Sequence, residues 1–131
     1  MREIKFRAWH AGNKIKSGIY IHEPQMLYDE GLGDCLRYIK EGQNITSIMQ
    51  YTGLKDKNGK EIWEGDVVGY DLGEREEAMG AERYELGTVG FEGGSFAFYI
   101  DGEWQMELSQ NPDPWTIFGN IHETPELLTH G

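Results

Sequence analysis

The sequence predicts a mainly β chain of the α+β kind: short antiparallel strands forming a small barrel, preceded by a β-rich segment with one short helix. Three observations predict it. Glycine fills 18 of 131 positions and proline only 4, a balance that suits many tight turns. Asn58-Gly59, Gly93-Gly94 and Asp101-Gly102 are strong hairpin signals, because their residues tolerate positive φ. Between such turns apolar residues recur with period two, the spacing of a half-buried strand. Hydrophobic content of 38% with 12% aromatics supplies a core for one domain over 1–131, or for two packed parts at 1–50 and 51–131.

Ile4, Phe6 and Ala8 alternate with Lys5, Arg7 and Trp9, which predicts a first strand with an apolar inner face and a basic outer face. Ala11-Gly12-Asn13-Lys14 reads as a turn. Gly18 to Ile21 reads as a strand closed by Pro24, and Gln25 to Tyr28 as another. Leu32, Cys35, Leu36 and Ile39 have the spacing of an amphipathic helix, with Asp34 near its start and Gly42 beyond its end. Cys35 would lie on the apolar side, where a structural role is favoured over a nucleophilic one. Ile45 to Tyr51 is the next strand.

Asp56 to Lys60 is an exposed turn, Ile62-Trp63 an apolar pair, Glu64-Gly65-Asp66 a second turn and Val67 to Tyr70 a strand. Residues 71–86 are acidic and interrupted by Gly73 and Gly80, so they read as a long loop re-entering a strand near Glu82. Gly87 to Phe91, Ser95 to Ile100 and Glu103 to Leu108 form a meander. Strict alternation puts Phe96, Phe98 and Ile100 on one face, and Trp104, Met106 and Leu108 together on one side of the last strand. Asn111-Pro112-Asp113-Pro114 makes a stiff loop, and Trp115 to Ile121 closes the sheet. Thr124-Pro125 opens a turn of helix as N-cap and first residue.

The twenty residues from Met49 to Val68, with Met1 to Trp9 and Gly119 to Leu128 in the same order, resemble the YopX family of phage and prophage proteins. Trp63 stands where that family often has Tyr, His10 where it often has an acid and Thr124 where Asn is frequent, so His10 and His122 are not carried over as functional residues. The resemblance implies an SH3-like β-barrel, a bacterial or phage protein of the cytoplasm, and no established activity.

The net charge of −11, from 12 basic and 23 acidic side chains, opposes general duplex binding, which needs a basic face. It suits solubility, a basic partner or mimicry of nucleic acid. One cysteine excludes an internal disulfide and fits a reducing compartment. No signal peptide is evident at the N-terminus. No apolar run approaches the roughly 20 residues of a membrane helix.

Five of the twelve basic residues fall within the first sixteen positions. Arg2, Lys5, Arg7 and Trp9 are therefore candidates for contact with nucleic acid or an acidic partner, Trp9 by stacking. The blander reading pairs them with acids of the same fold. Glu74, Glu76 and Glu77 are candidates in the long loop, because loops carry recognition. Lys55, Lys57 and Lys60 lack the glycine spacing and following helix of a phosphate cradle.

His22-Glu23 and His122-Glu123 are near-copies, but neighbours on a strand point apart, so no metal ligands are assigned. No catalytic residue and no cofactor are assigned either. Three readings follow: a non-enzymatic protein-interaction or self-assembling module, with a phage or host protein partner or a homo-oligomer; a nucleic-acid-associated protein or acidic DNA mimic; and an enzyme.

Overall fold

The computed structural model describes residues 4–29, 34–71, 84–108 and 115–128. It is mostly β, with one short α-helix, and its strands are antiparallel. Contacts divide the chain into two compact units, Met1–Tyr51 and Thr52–Gly131.

In the first unit, β1 (Phe6–His10) lies between β4 (Gln25–Tyr28) and the first part of β5 (Ile45–Lys55). Arg7 is opposite Tyr28 and Met49, and Ala8 is opposite Leu27 and Ile48. The short α1 (Asp34–Lys40) touches β1 and β4.

Asn13-Lys14, expected in a turn, is a short strand β2 paired with β3 (Tyr20–His22). Polar contacts fix the corner before it. Gly12 N–H donates to His10 Nδ1 at 2.9 Å, and Asn44 Nδ2 donates to the Gly12 carbonyl at 2.8 Å. Gly12 has φ 83°, and a Cβ there would lie 2.6 Å from the His22 carbonyl oxygen, so only glycine fits.

The faces of β1 do not divide into inner and outer as its alternation predicts, because residues of both are buried. Lys5, Arg7 and Trp9 share a face with Met49 and Tyr51, both buried, and Arg7 is only 3% exposed. On the other face Ile4 and Phe6 are exposed, whereas Ala8 is fully buried.

In the second unit a five-stranded sheet runs in the order β10 (Glu103–Glu107), β9 (Ser95–Ile100), β8 (Tyr84–Glu92), β7 (Asp66–Asp71), β11 (Trp115–Asn120). Its inner face carries Val68, Val89, Phe98 and Trp115, packed with Ile62 of β6 (Glu61–Trp63). The Phe98 and Trp115 rings lie 5.0 Å apart, and Tyr70 meets Trp115 edge-on at 5.3 Å. Leu54, Ile100, Met106, Leu108 and Ile117 pack around this core.

β5 continues to Lys55 rather than ending at Tyr51. Gly53 takes φ 86°, and Thr52 Oγ1 donates to the Ile62 carbonyl and accepts from Leu54 N–H. The C-terminal turn is a 3-10 helix, Pro125–Leu128. No helix among the described residues is long and apolar enough to cross a membrane.

Candidate interaction surface

The buried polar side chains of the second unit are engaged with backbone. Asp56 is buried, and its Oδ1 accepts from Asn58 and Lys60 N–H at 2.9 Å each. Its Oδ2 accepts from Ile117 N–H of β11 at 3.0 Å, and the neighbouring Lys57 N–H donates to the Trp115 carbonyl. Asp66 Oδ2 accepts from Trp63 N–H at 2.7 Å across a turn in which Gly65 holds φ 84°. Asn120 Oδ1 accepts from His122 and Glu123 N–H, and its Nδ2 donates to Glu123 Oε1 at 2.6 Å. Thr124, expected as a helix N-cap, turns its hydroxyl back to accept from Asn120 N–H. These groups close turns. Among the described residues no group of three or more His, Cys, Asp or Glu could hold a metal ion.

The outer face of the five-stranded sheet is different. Glu103 pairs with Ile100 and Trp104 with Tyr99, but Met106, not Gln105, pairs with Phe98. The extra residue is a β-bulge, which re-aims side chains. Met106 therefore joins the core beside Phe98, while Trp104 joins Tyr99 and Thr88 in a cross-strand row on the outer face. The expectation that Trp104 shares a face with Met106 and Leu108 fails for this reason, and Trp104 is 52% exposed. A second bulge between Ile117 and Gly119 turns Phe118 out on the same face, 42% exposed and edge-on to Tyr84 at 5.2 Å. Gly69 makes room for that pair, since a Cβ there would meet the Phe118 ring at 2.6 Å.

Beside the Trp104 row, a cleft of about 90 Å³ is lined by Leu86, Thr88, Tyr99, Asp101, Leu127 and Leu128. Tyr99 O–H donates to Glu92 Oε2 at 3.1 Å. Burial, then that hydrogen bond and the Glu92 charge, push the phenol above its ordinary pKa of 10.0.

Of the residues singled out from the sequence, Lys5, Arg7 and Trp9 come together on one face of β1. Arg7 is buried there and Lys5 Nζ lies 4.8 Å over the Tyr51 ring. Arg2, Glu74, Glu76 and Glu77 lie outside the described residues, as do the long loop at 72–83 and the proline loop at 111–114. Trp104, Phe118 and the cleft were missed. The available signal was a tryptophan among acids and amides on a strand following an Asp-Gly turn, but the bulge that exposes it leaves no mark in the alternation.

The family model described as YopX protein matches residues 5–129. The crystal structure of protein EF1440 from Enterococcus faecalis is similar at 27% identity and a TM-score of 0.58, covering 98% of this chain and 100% of that one. No curated relative matches the chain.

Proposed function

The chain belongs to the YopX family, and on that premise we propose that it is a non-enzymatic protein-interaction module of phage or prophage type, acting in the bacterial cytoplasm. The observation that carries this reading is Trp104, a large aromatic held 52% exposed on a sheet face by a bulge. Tryptophan is enriched where proteins meet, because it brings a large apolar body and a polar tip. The occupied state of the buried carboxylates and amides supports the same reading, since each serves a turn. The nucleic-acid alternative is weakened by the burial of Arg7 and by a net charge of −11.

Capture from a bacterial lysate on the tagged full chain, divided into nuclease-treated and untreated halves, tests it. The expected outcome is a protein partner that survives nuclease. Partners that vanish with nuclease, or a monodisperse monomer that captures nothing, would sink the reading.

A further inference from the structure

Strand β10 ends its sheet: among the described residues it pairs with β9 alone, and its other side carries no strand of theirs. An open edge is a template for another strand. Three features at this edge bear on what would add there. Asp101, Glu103 and Glu107 surround it, with Glu92 at the far end of the Tyr99 side chain, and no basic residue lies between Glu85 and Leu108. Trp104 and Tyr99 form a flat apolar row running from the edge over the outer face. The cleft carrying Asp101 and Thr88 opens beside Tyr99.

A second copy of this chain fits poorly. Antiparallel pairing of β10 with β10 would gather Asp101, Glu103 and Glu107 of both copies along one seam with no basic residue of either strand among them, and like charges brought together across strands destabilise a sheet.

Resting on the interaction reading above, we infer that the open edge of β10 receives an extended, lysine- or arginine-bearing segment of a partner protein as an added strand. Main-chain hydrogen bonds to β10 supply the docking. Alternate side chains of the added strand fall on the outer face. A basic one there lies along Trp104 and Tyr99, its charge facing the carboxylates of Asp101 in the turn and of Glu107, which shares the outer face through its pairing with Ala97.

The test is selection of a displayed library of random short peptides on the immobilised full chain, followed by binding of the recovered peptides in solution. Enrichment of Lys or Arg at alternate positions is expected. Trp104→Ala, and separately the double change Glu103→Lys with Glu107→Lys, should each weaken the recovered peptides about tenfold or more. These side chains are exposed, and an unchanged circular dichroism spectrum verifies that the variants fold. N-methylation of alternate peptide backbone nitrogens should abolish binding in one of its two registers, which separates strand addition from simple charge attraction. Recovery of acidic or purely apolar peptides, indifference to both variants, or indifference to N-methylation in both registers overturns the inference. So does a dimer in sedimentation that Trp104→Ala dissolves. If lysate capture finds a protein partner held equally by the wild type and both variants, this docking mode is wrong while the interaction reading stands; an empty capture strikes that reading itself.

Discussion

Asp56 accepts three backbone hydrogen bonds, two from its own turn and one from Ile117, sixty-one residues along the chain. The local half of this was legible. Asp56-Lys57-Asn58-Gly59 announces a turn, and an aspartate at its first position commonly caps the following amides. The distant half was not, because nothing near Asp56 in sequence says that β11 will arrive beside it. Asp56→Asn keeps the size and one acceptor but sets an N–H₂ group against a backbone N–H. It should cost about 1.5–3 kcal/mol, the range for a hydrogen bond to a charged group, read as a lowered urea midpoint at unchanged slope. Gly119 is equally constrained, since a Cβ there would fall 1.9 Å from Thr124 Oγ1. Gly119→Ala should lower the thermal midpoint, and pairing it with Thr124→Ala should restore part of the loss. Tyr99 offers a titration. Its phenol binds its proton more tightly in the folded chain, so its stabilising effect is complete below pH 10.0 and is lost as pH rises through the higher folded value. A difference titration against Tyr99→Phe should show one phenol ionising above the ordinary range.

Elements were legible where one turn decided them and obscure where a bulge did. Asp101 and Gly102 have φ of 52° and 81°, the paired positive values that a two-residue type I′ hairpin requires, and Asp-Gly advertises them. A Cβ at Gly102 meets nothing within 4 Å, so Gly102→Ala isolates the backbone term. It should destabilise by about 1 kcal/mol in denaturant titration, whereas Asp101→Asn should be near neutral because Asn tolerates the same conformation. The next strand shows the opposite case. Glu103 to Leu108 alternates cleanly, yet the bulge at Gln105 moves Trp104 to the other face from Met106. Alternation assumes an unbroken ladder, and one inserted residue inverts the assignment on one side of it. In β1 neither face is wholly inward: Arg7 beside Met49 and Ala8 on the opposite face are both buried, and the register shifts between Trp9 and His10. Hydrophobic pattern within one strand could not decide between faces whose coverage comes from another.

At the scale of the whole molecule, charge acts in opposite directions on folding and on the binding inferred here. With 23 acidic against 12 basic side chains, the folded chain repels itself, and that repulsion relaxes on unfolding. The screening length falls from about 30 Å at 0.01 M salt to about 10 Å at 0.1 M, within the dimensions of a domain of this size. Added sodium chloride should therefore raise the thermal midpoint over this interval. The same screening should weaken a lysine-bearing peptide at β10, chiefly by slowing its association. Stability rising while affinity falls, measured on one sample series by calorimetry and fluorescence anisotropy, is the expected pair of trends. A midpoint that falls with salt would mean that local pairs such as Lys5 over Tyr51 outweigh the net charge. An affinity that does not fall would detach the binding surface from Asp101, Glu103 and Glu107, and leave the aromatic row alone to explain it.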